Sequence, residues 1–320
     1  MNYGELIGDA FRITLRNRYL WFFGFFAGGS TSFNVPTNVP TGGGNFNTDD
    51  FQSSSSMVSA VQVGQGLGTG VLIAGLVIIA IIIALFFIFM AIVSQGALAD
   101  SVAAIDRGDR RRFGMAFRSG MGNFWRVLGY YVVFFLIAIG LLLVIGIPVA
   151  LAIGGTFAAT QALGARITVS VVVGIVAVLA LIVVFVPLSI IGQYALREIV
   201  VRRERVLGSV GSGYGIFRRN IGRSLLILLI QFGISIGIAI ALVLALLIVG
   251  LVLFIPTIAL AVAGYSTAAI VAGVIAGVIL VPLLLVATGA IGTFSHAYWT
   301  LAYLRLTAPP TAAPSPYPTT

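Results

Sequence analysis

The stretch that decides the fold is VLIAGLVIIAIIIALFFIFMAIV, residues 71–93, a run of 23 residues that are all apolar or glycine. At a rise of about 1.5 Å per residue, such a run forms a helix of about 35 Å, and the hydrocarbon core of a bilayer is about 30 Å thick. Two further runs of spanning length follow, at residues 130–155 and 167–191. The sequence therefore predicts an all-α integral membrane protein.

The composition of the whole chain agrees with a membrane protein. The 320 residues are 59% hydrophobic and 8% charged, and the mean hydropathy is +1.12, whereas soluble domains carry about 25% charged residues. The chain has no cysteine, no lysine and one histidine. These absences exclude thiolate nucleophiles, Schiff-base lysines and multi-histidine metal sites. Because no nucleophile–base pair is recognisable in the sequence either, we expect no enzymatic activity, no metal and no cofactor.

Three other apolar runs complete the predicted membrane segments. Residues 19–29 (YLWFFGFFAGG) are too few to span alone and would be extended by residues 11–15, and residues 268–290 form a further span. The run at residues 225–264 fits either one long helix kinked near Pro256 or a span followed by a re-entrant piece. The predicted count is about six transmembrane helices.

Arginine marks one side of these segments. Seventeen of the 18 arginines lie at residues 12–18, 107–126, 197–223 and 305, whereas Arg166 stands alone. Basic residues that flank membrane spans stay in the cytoplasm. We therefore predict a multi-pass protein of a bacterial plasma membrane with both termini cytoplasmic, the bacterial origin resting on the all-arginine, alanine- and valine-rich composition. Because the basic residues flank membrane spans, we expect the net charge of +9 to favour binding of anionic lipid and not of nucleic acid.

An internal repeat of about 100 residues accounts for the order of the segments. The pattern AFR-x4-N occurs at residues 10–17 and 116–123, with a weaker copy, GYG-x4-N, at residues 213–220. Each copy precedes an apolar run, so the predicted unit is one amphipathic helix followed by a helical hairpin. The predicted units are residues 1–105, 106–205 and 206–305, within a single helical membrane domain of residues 1–306.

Two polar segments fall outside the predicted helices. Residues 30–69 are rich in glycine, serine, threonine and asparagine, which predicts a flexible external loop. Residues 307–320 (TAPPTAAPSPYPTT) are predicted to be a disordered, proline-rich cytoplasmic tail.

The three amphipathic segments carry the strongest functional signal. Apolar side chains recur on one face of each at helical spacing, and arginines lie around that face. Such helices either lie in the membrane interface or extend the spans into the cytoplasm and pack on one another. In the interfacial interpretation, the arginines expected to contact anionic lipid are Arg110, Arg111, Arg112, Arg118, Arg202, Arg203, Arg205, Arg218 and Arg219.

Small and polar residues within the spans complete the candidate sites. Gly233-x3-Gly237 and Gly273-x3-Gly277 are patterns that let two helices approach closely, either the two spans that carry them or two copies in a homo-oligomer. No Asp, Glu or Arg lies in the middle of a predicted span, which argues against a carrier coupled to protons or ions. His296, near the end of the last span, is expected to be a satisfied group at the membrane interface.

The opening GELIGDAFRITLRNRYLWFFG, residues 4–24, resembles a group of uncharacterised bacterial membrane proteins, as do DRG at residues 106–108, F-x2-AF at 113–117 and the six-span layout. The group is related to the membrane domain of glycerophosphoryl diester phosphodiesterase. The resemblance implies an all-helical membrane module. It does not imply phosphodiesterase activity, because that enzyme's catalytic domain uses histidines and carboxylates, and this chain has one histidine and no such domain.

Two functions are compatible with these observations. The first is a non-enzymatic membrane protein that acts as a scaffold, a regulator or a lipid-interacting module, alone or with a membrane protein partner. The second is a permease or flippase for an amphipathic or lipid-like substrate, which rests on the repeats, the prolines within the spans and the small polar residues at depth. A deep cavity between the repeats would favour the second function, and a solidly packed bundle would not.

Overall fold

The computed structural model describes residues 2–31 and 66–308, and this part of the chain forms nine helices. Most of the predicted external loop (30–69) and of the predicted tail (307–320) lies outside the described residues. The helices are α1 (Tyr3–Arg16), α2 (Leu20–Thr31), α3 (Gly66–Asp106), α4 (Phe113–Gly122), α5 (Phe124–Ala159), α6 (Leu163–Val201), α7 (Val206–Arg219), α8 (Ile221–Val262) and α9 (Ser266–Thr307).

Five helices of the described chain have the length and composition to cross a membrane. They are Ala74–Asp106 of α3 and the whole of α5, α6, α8 and α9, and they indicate a multi-pass membrane protein. The predicted count of about six is not reached in the described residues, because α2 has only 12 residues and a length of about 18 Å. A turn at residues 17–19 also separates α2 from α1, so residues 11–15 do not extend it.

The long apolar run at residues 225–264 forms one helix and not a span with a re-entrant piece. Helix α8 continues without interruption from Ile221 to Val262 and includes Pro256. The turn that follows contains Gly264, whose φ of +84° is a conformation that favours glycine. Helix α9 begins two residues later and packs against α8.

The long helices give the described chain two different ends. At the arginine end, α3, α6 and α9 finish, and the short helices α1, α4 and α7 pack around them. At the hairpin end, turns at residues 160–162 and 263–265 join α5 to α6 and α8 to α9. Nearly all buried side chains lie at the arginine end, and the most apolar segments of α5, α6 and α8 contain no buried residue. The protein core is therefore confined to the end that carries the arginines.

Each short helix packs on the last long helix of one predicted unit. Helix α4 packs on α3 and α7 on α6, while α1 packs on α9, so that the first and last described helices meet. Asn17, Asn123 and Asn220 follow the three short helices, and each Nδ2 donates a hydrogen bond to the carbonyl oxygen four residues earlier, at 3.0, 3.1 and 3.2 Å. This arrangement agrees with the order of the three predicted units, and the internal repeat itself stays a prediction.

Tyrosine hydroxyls link the long helices at the arginine end. Each donates a hydrogen bond to a neighbouring long helix at a buried position, where a polar group without a partner would be costly. The bonds are Tyr130 to the Gly192 carbonyl at 3.0 Å, Tyr194 to Ser224 Oγ at 3.0 Å and Tyr298 to the Ile227 carbonyl at 2.9 Å.

Candidate functional site

A set of polar side chains is buried at the centre of the arginine end. They come from α3, α6 and α9, around which the short helices pack. Burying polar groups is costly unless they find partners, so each group needs a structural or functional explanation. The set consists of Ser94, Gln95, Ser101, Arg197, Glu198, Thr293, His296 and Thr300.

Arg197 is the unusual member of this buried set. Its side chain has no exposed surface, and its Nη1 donates a 2.9 Å hydrogen bond to the Gln193 carbonyl and a second bond to Gln193 Oε1. Its Nε and Nη2 have no hydrogen-bond partner among the described residues. No carboxylate oxygen in this part of the chain lies within 4 Å of its guanidinium group either. Within residues 2–31 and 66–308, Arg197 is thus a buried charge without a counter-ion.

The neighbours of the guanidinium group are aromatic. Four tyrosines lie near it, and so does His296 of α9; the tyrosines are Tyr130, Tyr131, Tyr194 and Tyr303. The hydroxyls of Tyr130 and Tyr194 donate their hydrogen bonds elsewhere, to α6 and α8. The site is therefore a single positive charge among aromatic side chains, with one edge of the guanidinium unused.

The carboxylate next to Arg197 in sequence makes a different contact. Glu198 is 1% exposed, and its Oε1 lies 3.4 Å from Nη1 of Arg202, one turn further along α6. Tyr303 of α9 also interacts with this carboxylate. Glu198 therefore connects the end of α6 to α9 and does not neutralise Arg197.

His296 lies in the protein core and not at the membrane interface where we expected it. It is 1% exposed and adjoins the Ala27 carbonyl of α2, which also accepts a 3.1 Å hydrogen bond from Gln95 Nε2. The expectation was wrong because α9 continues beyond His296 to Thr307, and this last part of the helix is itself packed. Among the described residues, no group of three His, Cys, Asp or Glu side chains could hold a metal ion.

The arginines predicted to contact lipid surround this core. The exposed ones are Arg110, Arg112, Arg118, Arg202, Arg203, Arg205, Arg218 and Arg219. Arg111 is half-buried, and its Nη2 lies 3.2 Å from a carboxylate oxygen of Asp100 on α3. Arg111 and Arg202 are thus engaged in ion pairs, and the remaining predicted arginines have no ion pair among the described residues.

The exposed face of α7 combines apolar and basic side chains. Leu207, Tyr214 and Arg218 lie on one helix face and are exposed, Leu207 at 76% and Tyr214 at 52%. The opposite face packs on α6, where a Cβ at Gly213 would lie 2.9 Å from a backbone carbonyl oxygen. Helix α7 therefore packs on α6 by one face and exposes another, and the interfacial interpretation of the amphipathic helices stays a prediction.

Of the four glycines predicted to bring two spans together, only Gly273 faces the other span within the described residues. A Cβ at Gly273 would lie 3.4 Å from Cγ2 of Thr257 on α8, an ordinary van der Waals distance, whereas a Cβ at Gly233, Gly237 or Gly277 would meet no neighbouring atom within 4 Å. Gly233 and Gly237 lie on an exposed face of α8. Among the described residues, the two motifs therefore do not pack against each other as predicted.

The closest approach between helices joins α2 to α9. A Cβ at Gly24 would collide with the backbone of Gly289 and with Thr293, and a Cβ at Gly289 would collide with the Trp21 carbonyl. Across the same contact, Thr293 Oγ1 donates a 2.9 Å hydrogen bond to the Leu20 carbonyl. Helices come this close only where glycine removes the side chain.

The sequence carried a signal for the buried arginine that our prediction did not use. In YALREIVV, residues 194–201, the adjacent Arg197 and Glu198 are flanked by apolar residues on both sides. We assigned Arg197 to the cytoplasmic flank of a span because it lies near other arginines. In the structure α6 continues to Val201 and the charges remain inside the core.

Comparison with known proteins gives a family but no function. A family of unknown function, DUF7544, matches residues 19–310. No curated protein and no solved structure matches the chain. The family match agrees with the predicted resemblance to uncharacterised proteins, and the predicted relation to the membrane domain of glycerophosphoryl diester phosphodiesterase is not shown by it.

Proposed function

Because this chain belongs to the DUF7544 family of unknown function, we propose from its own geometry that it is a non-enzymatic, lipid-interacting module of the plasma membrane. In this proposal, the arginine end lies at the cytoplasmic face, and the short helices α4 and α7 bind anionic lipid there. The observation that carries the proposal is the exposure of apolar and basic side chains side by side on these two helices.

The two short helices share this exposed pattern. On α7, Leu207 and Tyr214 lie on the same exposed face as Arg218. On α4, Met115 and Met121 are 42% and 43% exposed, and the exposed Arg118 lies between them. Apolar side chains at such positions enter the acyl boundary, while arginine reaches the phosphate groups.

The distribution of arginine supports the proposed orientation. Arg166 is the single arginine at the hairpin end of the described chain, where it hydrogen-bonds to the Thr160 and Phe157 carbonyls. The other arginines lie at the opposite end, which is the distribution typical of cytoplasmic flanks. Anionic lipid attracts each nearby arginine by about 1 kcal/mol, so several unpaired arginines give a measurable lipid preference.

The test replaces unpaired arginines only. Arg110, Arg118, Arg218 and Arg219 become Gln together, whereas Arg111 and Arg202 stay because they pair with carboxylates of the fold. Arg166→Gln is the control, since it removes the same charge from the hairpin end.

The readout is quenching of tryptophan fluorescence by brominated lipid. Trp125 is 78% exposed at the start of α5, beside the arginines, and Trp299 is buried. The preference of the wild type for brominated phosphatidylglycerol over brominated phosphatidylcholine should fall by at least about tenfold in the fourfold variant, because four contributions of about 1 kcal/mol exceed the about 1.4 kcal/mol that a factor of ten requires. It should stay unchanged in Arg166→Gln. An equal preference in wild type and fourfold variant would overturn the proposal.

The permease or flippase function is the second candidate, and one observation favours it. Between Leu76 and Ile88 of α3, the large apolar side chains on all sides of the helix are exposed in the described structure. This leaves room for lipid chains beside α3, as a lipid carrier would need. Protein-dependent movement of a fluorescent phospholipid between the leaflets of proteoliposomes would support this function, and leaflet exchange at the rate of protein-free vesicles would exclude it for that lipid.

A further inference from the structure

We propose that Arg197 is the centre of an internal binding site for a phosphate-type anion, either a lipid headgroup or free phosphate. The site lies at the arginine end, where α6 packs against α5 and α9, and it is separate from the exposed arginines of α4 and α7. It does not depend on the surface lipid binding proposed above.

The first support is the cost of the buried charge. A guanidinium group that is fully removed from water loses its solvation, and a paired carboxylate usually compensates for that loss. Arg197 has no carboxylate oxygen within 4 Å in the described chain. The carboxylate that is adjacent in sequence, that of Glu198, pairs with Arg202. Ionisable groups at such positions in membrane proteins usually mark a binding or transport site.

The second support is the geometry of the unused edge. Nη1 is occupied by Gln193, whereas Nε and Nη2 have no hydrogen-bond partner among the described residues. In a guanidinium group, Nε and Nη2 point two nearly parallel N–H bonds in the same direction, and this pair matches two oxygens of one phosphate or carboxylate. Gln193 holds the third nitrogen and thereby fixes the direction of the free edge.

The neighbours of Arg197 make an anion the matching ligand. Tyr130 and Tyr194 are neutral and donate their hydroxyl hydrogens to α6 and α8, so they neither neutralise the charge nor occupy its free edge. A water molecule could accept one of the two N–H bonds but would leave the charge unbalanced. A phosphate group satisfies both nitrogens and balances the charge.

The experiment measures ligand-dependent stability of the full chain in a neutral detergent. The probes are inorganic phosphate and phosphatidic acid, with phosphatidylcholine as the uncharged control lipid. We expect phosphate, phosphatidic acid or both to raise the thermal midpoint of the wild type, because a ligand that binds only the folded state stabilises it. A shift with phosphate assigns the site to the free ion, and a shift with phosphatidic acid alone assigns it to a lipid headgroup.

Two substitutions of the same residue test the role of the guanidinium. Arg197→Gln should abolish the shift, and Arg197→Lys should weaken the apparent affinity about tenfold, because lysine keeps the charge but loses the paired N–H bonds. Arg166→Gln, on the same helix, should keep the wild-type shift. The fourfold surface variant should keep the phosphate shift as well, which separates this proposal from the proposed function.

Two results would overturn the proposal. One is a wild-type midpoint that responds to neither anionic probe. The other is an equal shift in the wild type and Arg197→Gln. If Arg197→Gln does not fold, the comparison with Arg197→Lys decides, since an affinity equal to that of the wild type would show that the free edge binds nothing.

Discussion

Replacing Gly24 by Ala tests whether the contact between α2 and α9 holds the first helices of the chain in place. A Cβ at this position would collide with the Gly289 carbonyl and with the backbone and hydroxyl of Thr293. The obstacles are mostly backbone atoms, which cannot rotate away as the end of a flexible side chain would. The two helices must therefore separate to accept the methyl group.

The expected loss follows from three contributions. Overpacking of a close contact costs about 1–3 kcal/mol, and separating the helices also weakens the hydrogen bond from Thr293 to Leu20, worth about 1 kcal/mol. Alanine in a helix offsets part of this, because it is about 0.5–1 kcal/mol better than glycine there. The net expectation for Gly24→Ala is a free energy of unfolding lower by about 1–3.5 kcal/mol.

Gly28→Ala is the matched control, because Gly28 lies one turn further along the same helix. Its Cβ would lie 3.7 Å from the Gly292 Cα, an ordinary van der Waals distance. The helix-propensity gain is the same at both positions, so we expect Gly28→Ala to be neutral or stabilising by up to about 1 kcal/mol.

The assay is reversible unfolding of the purified protein in mixed micelles with increasing SDS, followed by the near-ultraviolet signal of the aromatic core. The two variants should differ by about 3 kcal/mol, the sum of the lost contact and the gain at the control position. If Gly24→Ala unfolds within about 0.5 kcal/mol of Gly28→Ala, α2 and α9 are not in contact as described and the reasoning fails.

Four further substitutions, two of them combined in one double-mutant cycle, probe the arginine end in the same assay. Tyr298→Phe removes the hydroxyl that bonds the Ile227 carbonyl at 2.9 Å and should lower the free energy of unfolding by about 1 kcal/mol, and an unchanged value would show that this bond contributes nothing. Asn123→Ala loses the bond that ends α4 and should cost a similar amount, about 1 kcal/mol, with loss of helical content limited to that turn. Asp9→Asn and Arg305→Gln break an ion pair between α1 and α9, and their double-mutant cycle should give a coupling of about 0.5–1 kcal/mol that declines with added salt, whereas independent effects would contradict the contact.

The membrane helices were predictable because their signal is local. A run such as residues 71–93 identifies itself by length and hydropathy alone, and arginine placement separates the two ends of the described chain. The pattern AFR-x4-N likewise predicted a short helix before an apolar run at residues 10–17 and 116–123, and in the structure Asn17 and Asn123 each bond back to a carbonyl of their own helix. The start of α2 was not predicted, because residues 11–15 were assigned to the same membrane segment although Arg16, Asn17 and Arg18 separate them from residues 19–29.

The partners of the helices could not be predicted in the same way. Gly24 lies in an aromatic run and Gly289 is more than 260 positions away, so no local pattern links them. The Gly-x3-Gly motif at Gly233 is regular, but it lies on a face of α8 without a close partner among the described residues. The buried state of Arg197 is also a property of three converging helices and not of its own segment. The periodicity of a sequence shows which residues share one face of a helix. The position of the neighbouring helices in the fold decides what that face contacts.

The uneven distribution of burial separates two kinds of stabilisation in one molecule. At the arginine end, tyrosine hydroxyls, ion pairs and close glycine contacts join the helices. A single substitution there should therefore change the free energy of unfolding measurably. At the hairpin end, the apolar side chains of α3, such as Ile79 and Ile82, are more than half exposed and have lipid as their solvent. Exchange of one apolar residue for another there changes the lipid contact and removes no buried partner. A site that requires fixed geometry, as the free edge of Arg197 does, therefore belongs at the end where the structure is built from protein contacts.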